Sequence, residues 1–160
     1  MRWWEEVSAV RGSTPGGPAA RGLFCVVLAV TDLDAASQTY ERLGFRVVHR
    51  GGRDEWGLDA TMLGLGWGMV ELIAVADRSK PVAAKVDEFL RERGEGVYML
   101  SISVDDADAA HRDLEANGVR AHAPMQAPAV DDFEARLLWL TPAQTHGVLL
   151  ELIELQSVAR

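Results

Sequence analysis

Two glutamates lie inside strongly apolar segments of this 160-residue chain, and both belong to the same tripeptide, ELI. Glu71 falls in GMVELIAV, and Glu151 falls in GVLLELIEL, 80 positions further along the chain. A carboxylate surrounded by Leu, Ile and Val side chains is partly desolvated, which raises its pKa and favours a role as general acid or base. The alternative is that each glutamate occupies the solvated face of its strand. Because the arrangement occurs twice, we predict that Glu71 and Glu151 face inward and act as catalytic carboxyls.

An internal repeat surrounds these glutamates. The stretch VTDLDAASQTYERLGFR, residues 30–46, and the stretch VDDADAAHRDLEANGVR, residues 104–120, coincide at eight of 17 positions. The offset is 74 positions, and it also aligns Cys25 in the first apolar run with Met99 in its counterpart. Two similar units that pack edge to edge enclose one shared cup. Cys25 and Met99 are therefore predicted to line the same cup.

The elements that position these residues follow from the periodicity of each repeat. Each begins with an apolar run of strand length, LFCVVLAV or VYMLSISV. Asp32 in the first repeat, and Asp105 or Asp106 in the second, then stands at a helix N-cap, and Gly44 or Gly118 ends the helix. In the first repeat FRVVHR predicts a strand and GGRDE a turn, and in the second VRAHA predicts the equivalent strand. Two further strands complete each unit. We predict an α+β fold of two βαβββ modules in tandem that form one cup-shaped sheet.

The chain is predicted to form a single domain over residues 23–155. Module one spans residues 23–78, a linking helix spans 79–94, and module two spans 95–155. Residues 1–22 include the Gly- and Pro-rich stretch RGSTPGGPAARG, which has no hydrophobic period and predicts a flexible tail.

Composition excludes several classes of partner. The net charge of −8 disfavours nucleic acid and anionic membranes, and no apolar run has the length needed to span a bilayer. Cys25 is the only cysteine, which excludes an intrachain disulfide and fits a cytoplasmic location. We therefore expect a small-molecule ligand or substrate, no nucleic acid or membrane partner, and a homodimer.

Four segments, in the same order, resemble the vicinal oxygen chelate superfamily, which includes glyoxalases, extradiol dioxygenases and bleomycin-resistance proteins. They are VTDLDAASQTYERLGF, the helix that precedes RGEG, VDDADAA and HGVLLELIE. The methylmalonyl-CoA epimerase branch is the most similar, and the resemblance covers more than three quarters of the chain. It implies paired βαβββ modules and a divalent metal in the cup.

The metal site that the resemblance implies is only partly present. Glu71 and Glu151 match carboxylate ligands of the family, and in the epimerase the second of these also takes part in proton transfer. Cys25 and Met99 stand where the family has its two histidines, and Ala60 stands near the epimerase's other catalytic Glu. We therefore expect no cofactor. If a divalent metal does bind, its candidate ligands are Glu71, Glu151 and Cys25.

Three functions stay open at this point. The first is an isomerase- or lyase-type enzyme that acts on an acyl or carbonyl compound through Glu151, with Glu71, at a degenerate metal site. The second is a metal-free protein that binds or sequesters a ligand, as the bleomycin-resistance branch does; a non-catalytic partner of a larger assembly is a third. Ser101 and Ser103 share the strand face of Met99 and are candidate hydrogen-bond donors. The predicted substrate-binding residues are Cys25, Met99, Ser101, Trp56, Trp67 and Trp139.

Overall fold

The computed structural model describes residues 20–66, 68–127 and 133–157, so Trp67 and residues 1–19 of the predicted tail lie outside it. In chain order the elements are β1 (Ala20–Ala29), α1 (Leu33–Arg42), β2 (Arg46–Arg53), β3 (Leu58–Leu65), β4 (Gly68–Val75), α2 (Pro81–Arg93), β5 (Gly96–Val104), α3 (Ala107–Ala116), β6 (Met125–Gln126), β7 (Phe133–Leu140) and β8 (Leu149–Ser157). The strands form one eight-stranded sheet in the order β2-β3-β4-β1-β5-β8-β7-β6. None of the helices in this part of the chain has the length and apolar character needed to cross a membrane.

The two modules meet at the antiparallel pair β1–β5 in the middle of the sheet. Three residue pairs at its centre are Val26–Leu100, Cys25–Ser101 and Val27–Met99. Val26 and Leu100 are 74 positions apart, which is the offset of the sequence repeat. The same offset relates Cys25 to Met99 and Val27 to Ser101, so it maps the second pair onto the third. The register therefore has a local two-fold axis, with β4 parallel to β1 on one side and β8 parallel to β5 on the other. The predicted fold of two βαβββ modules in one sheet is confirmed.

Helices α1 and α3 pack on the same face of the sheet, one on each module. Asp32 and Asp106 each accept a hydrogen bond from the backbone N–H three residues later, at 2.9 Å and 2.8 Å. The predicted N-cap at Asp32 is confirmed, and of the two candidates in the second repeat the N-cap is Asp106. Helix α1 packs with Leu72 of β4, and α3 packs with the equivalent Leu152 of β8. Both leucines are buried. Since side chains alternate along a strand, the glutamates that precede these leucines point to the opposite face.

Helix α2 packs against that opposite face over module one. It begins at Pro81, and its fully buried Ala83 and Val86 join the core that includes Cys25. The turn before β3 fixes its position through Gly57, which adopts a φ of +70°. A side chain at this glycine would place its Cβ 2.4 Å from the carbonyl oxygen of Asp77, so only glycine fits there.

Two strands extend beyond their predicted ends. β1 begins at Ala20 rather than Leu23, because it continues to pair with β5 as far as Val104. Residues 20–22, predicted as part of the tail, therefore belong to the sheet. β2 continues through the predicted turn GGRDE as far as Arg53, because its residues 51–53 stay paired with β3.

The predicted strand VRAHA does not form. The N–H of Val119 bonds to the carbonyl of Leu114, and the N–H of Ala121 donates to the Glu115 carboxylate at 3.2 Å. These bonds tie the segment to the end of α3 instead of to a neighbouring strand. Pro124 follows and has no N–H for a ladder, so β6 is limited to two residues that pair with β7.

Candidate functional site

A cavity of about 1230 Å³ lies on the sheet face opposite α1 and α3, and we call it the cup. Strands of both modules form its floor, and α2 forms part of its wall. Predicted site residues that line it are Cys25, Trp56, Glu71, Met99, Trp139 and Glu151. The structure therefore brings the predicted site residues from both modules into one space, except Trp67, which lies outside the described residues, and Ser101, which lies fully buried beneath the surface of the cup.

Glu151 is held at the floor of the cup by two hydrogen bonds. Ser101 Oγ donates to its Oε1 at 2.7 Å, and Trp139 Nε1 donates to its Oε2 at 3.1 Å. Both donors are its register partners on the adjacent strands β5 and β7. The glutamate is 7% exposed. Burial raises the pKa of Glu151 to about 7; the Ser101 hydrogen bond opposes this rise, the charge of Glu71 adds to it, and Trp139 opposes it. The carboxyl is therefore suited to gain and lose a proton near neutral pH.

Glu71 faces the cup from β4 and has a cation beside it. Arg53 Nη2 lies 3.5 Å from Glu71 Oε1, and the two side chains are 11% and 17% exposed. His49 of β2 also lines the cup, because it shares a row of the sheet with Glu71 through Met62 of β3. Burial raises the pKa of Glu71, and the positive charges of Arg53 and then His49 oppose that rise. The cup thus has two carboxyls on opposite modules, one beside hydroxyl and indole donors and one beside a guanidinium.

Cys25 is a neutral thiol at this site. It is fully buried on β1, next to Ser101 in the pairing of β1 with β5. Burial raises the pKa of the Cys25 thiol far above its ordinary range, and the charges of Glu71 and Glu151 raise it further. A hydrogen bond with Ser101 acts in the opposite direction. Burial therefore disfavours the thiolate, which is the form that binds metals and attacks electrophiles, and Cys25 lines the cup as a buried side chain.

The residues at the four positions that the resemblance assigns to a metal do not fit a divalent ion. Burial disfavours the thiolate of Cys25, and the thioether of Met99 is a poor ligand for hard cations. The two carboxylates are the only hard donors among the four positions, and Glu71 already faces the Arg53 guanidinium. In the described ranges, no group of three or more His, Cys, Asp or Glu side chains is arranged to bind a metal ion.

Four further residues near the predicted site, Ala60, Asp59, Ser103 and His122, lie apart from the Glu151 carboxyl. Ala60 is buried on the cup face of β3, and Asp59 is exposed on the opposite face, so neither supplies another carboxyl near Glu151. Ser103 donates to the carbonyl of Gly22 at 3.2 Å and stabilises the extension of β1. His122 lines the cup from the loop before β6.

Sequence reasoning missed Arg53 as a site residue. The stretch GGRDE has the composition of a turn, and a residue in a turn has no predicted face. The signal that was available is the alternation of residues 49, 51 and 53, which places the basic side chains His49 and Arg53 on one face once β2 is extended to its true end.

Three comparisons relate this geometry to known proteins. A family model described as a glyoxalase-like domain matches residues 26–157. The methylmalonyl-CoA epimerase from Mycobacterium tuberculosis has a TM-score of 0.74 and 32% identity, over 86% of this chain and 89% of that chain. A methylmalonyl-CoA epimerase bound to methylmalonyl-CoA and NH4+ has a TM-score of 0.70 and 28% identity, over 83% and 93%. A Streptomyces coelicolor epimerase variant bound to 2-nitronate-propionyl-CoA has the same score and identity, over 86% and 98%. A search of curated protein sequences finds no match.

Proposed function

Because the chain belongs to the glyoxalase-like domain family, we propose that it is an isomerase- or lyase-type enzyme that transfers a proton at the carbon next to an acyl carbonyl. The resemblance to methylmalonyl-CoA epimerases that the sequence predicted is confirmed by the similar solved structures. The observation that supports the proposal best is Glu151, a buried carboxyl with a pKa raised to about 7 that faces a cavity of about 1230 Å³. Such a group can take a proton from carbon and return it near neutral pH.

The hydrogen bonds to Glu151 suit this role. Each carboxylate oxygen has two lone pairs, so a proton can arrive at one while the bond from Ser101 or Trp139 stays on the other. These two donors fix the carboxylate plane, which keeps the base in a single orientation toward the cup. Glu71, from the opposite module, is the candidate for a second acid or base. No step of this chemistry uses a metal.

The substrate we propose is an acyl thioester. Two similar epimerases have been solved with acyl-CoA compounds bound, methylmalonyl-CoA in one and 2-nitronate-propionyl-CoA in the other. The cup is lined mainly by apolar side chains, which suits an acyl chain, and Lys85 and Arg93 are exposed cations on its wall. The single cysteine and the charge of −8 support a cytoplasmic enzyme without nucleic acid or membrane partners. A homodimer stays a prediction.

Ligand binding without turnover is the second candidate function. The observation that favours it is Ala60, a small apolar residue near the position where the resemblance implies the epimerase's other catalytic glutamate. A single well-formed base can exchange a proton on one face of a substrate, but inversion needs a second group on the other face.

Isotope exchange tests the proposed function. We expect the wild type to exchange the α-proton of methylmalonyl-CoA for deuterium in D2O, measured by NMR above the uncatalysed rate. Glu151→Gln removes the base and is expected to lower this rate by roughly 100- to 10,000-fold. Glu134→Gln is the matched control, because that carboxyl is exposed on the adjacent strand β7, and its rate should equal that of the wild type. Equal rates in Glu151→Gln and wild type would contradict the proposal, and binding without exchange would favour the second candidate.

A further inference from the structure

Arg53 differs from the other cations of the cup in its burial. The ammonium of Lys85 is paired with Glu88 at 2.8 Å and its side chain is 73% exposed. Arg93 is exposed and places its guanidinium 5.9 Å from the ring centre of Phe89. The side chain of Arg53 is only 11% exposed and still lines the cup. A charge in such a site is screened little by water and salt, so it attracts an opposite charge more strongly than a surface cation does.

Among the described residues, Arg53 uses little of its hydrogen-bonding capacity. A guanidinium has five N–H donors in a planar fork. Arg53 donates one hydrogen bond to Glu71, and at 3.5 Å it is longer than the usual N–H···O range. Since Arg53 lines the cup, an acceptor on a ligand in the cup can form further and shorter hydrogen bonds with this guanidinium.

A carboxylate is the acceptor that suits these donors. Two parallel N–H groups of a guanidinium match the two oxygens of a carboxylate, and the paired charges offset each other's loss of hydration. A ligand carboxylate in the cup needs a fixed cation beside it. Because the four positions of the family's metal site do not fit a divalent ion, Arg53 is the candidate for that cation. Glu151 and its donors lie on module two and Arg53 lies on module one, so one ligand can contact both.

We propose that Arg53 binds a carboxylate of the ligand inside the cup and makes the site selective for acyl compounds that carry a second, anionic group. This inference rests on the proposed function only for the choice of an acyl thioester as the ligand. Arg53 is then a residue that determines specificity, while Glu151 carries the proton.

A matched pair of thioesters tests the proposal. Methylmalonyl-CoA and isobutyryl-CoA have acyl groups of similar shape, and a methyl group in the second replaces the carboxylate of the first. We expect calorimetric titration to show that the wild type binds methylmalonyl-CoA more tightly. Arg53→Gln should weaken binding of methylmalonyl-CoA by about 10- to 100-fold and leave isobutyryl-CoA within about twofold. Arg53→Lys keeps the charge without the fork and should show an intermediate loss.

Arg50→Gln is the control variant. Arg50 is on the same strand, but it is exposed and pairs with Asp34 of α1, so both affinities should stay at the wild-type value. An equal loss for both thioesters in Arg53→Gln would show that Arg53 only supports the fold, and this would overturn the proposal. If that variant does not fold, the wild-type preference alone decides. A wild type without a preference for methylmalonyl-CoA, or one that binds neither thioester, also overturns it.

The two proposals can fail separately. A wild type that prefers methylmalonyl-CoA but exchanges no α-proton would contradict the proposed function and support the proposed role of Arg53. A wild type that exchanges the proton without this preference would remove only the role of Arg53. Glu151→Gln should keep the preference, because Arg53 is unchanged in that variant.

Discussion

Replacing Cys25 and Met99 with histidine together is expected to strengthen binding of Co²⁺, Ni²⁺ or Zn²⁺ by at least about 100-fold over the wild type. The pairing of β1 with β5 relates the two positions by its local two-fold axis, and both residues line the cup. Glu71 and Glu151 stand on the strands that flank them, β4 and β8. Two imidazoles and two carboxylates would then converge from four strands, which makes a donor set suited to borderline metals. The neutral thiol and the thioether of the wild type make no such set.

Calorimetric titration at pH 8, after dialysis against chelator, measures this effect. Each single variant, Cys25→His or Met99→His, supplies one imidazole and should bind more weakly than the double variant. Adding Glu151→Gln to the double variant should reduce the affinity again. If the double variant binds metal no more tightly than the wild type, the four side chains do not converge. The predicted equivalence of Cys25 and Met99 would then be wrong for the positions of their side chains in the cup.

The second large effect concerns stability and pH. The folded-state pKa of Glu151, about 7, lies above its ordinary value of 4.5, so the folded state binds this proton more tightly than the unfolded state. The stabilisation is complete below about pH 4.5 and is lost as the pH rises through 7. Glutamine does not ionise, so the stability of the Glu151→Gln variant does not fall with this rise in pH. We expect the stability of the variant relative to wild type to increase by roughly 2–3 kcal/mol between pH 5 and pH 8.

The network around Glu151 allows this substitution without a cavity. The amide oxygen of glutamine can accept from Trp139, and its NH2 can donate to Ser101, so both partners stay satisfied. Among the described residues, the other ionisable groups whose charge acts on Glu151 are the Cys25 thiol on β1 and Glu71 on β4, and neither adds a positive charge. Chemical denaturation of wild type and variant at pH 5 and pH 8 measures the difference. A variant that is less stable by the same amount at both pH values would mean that a cation or further donors satisfy the Glu151 carboxylate.

The repeat in the sequence was sufficient to predict the fold. A unit with one apolar sheet face cannot bury that face alone, so two copies of the pattern require a shared core. The offset of 74 positions reappears in the structure as the pair Val26–Leu100 at the centre of the sheet. Side chains alternate between the two faces of a strand, so the sequence also predicted which residues share a face. The four residues predicted to face the cup, Glu71, Glu151, Cys25 and Met99, all line it.

The local ends of strands were predicted less well, because they depend on pairing partners distant in the chain. GGRDE has the composition of a turn, yet β3 keeps residues 51–53 in the ladder and thereby turns Arg53 toward the cup. VRAHA has the composition of a strand, yet its Val119 and Ala121 N–H groups donate hydrogen bonds to residues at the end of α3. In both cases hydrogen bonds outweigh a small intrinsic preference of the backbone: ladder bonds with β3 in the first, and bonds to the end of the preceding helix in the second.

The chemistry of the two glutamates was decided by the tertiary structure. The sequence alone determined that two carboxyls occur at equivalent, apolar positions and that the family's histidines are absent. It did not determine their partners, because β5 brings Ser101 to Glu151 from 50 residues away and β7 brings Trp139 by a separate register. Nor did it indicate that Arg53 stands beside Glu71 across 18 residues. A hydrogen-bond partner is fixed by the register between strands, and register depends on packing over the whole sheet. Only the folded structure therefore distinguishes the carboxyl with hydroxyl and indole donors from the one beside a cation.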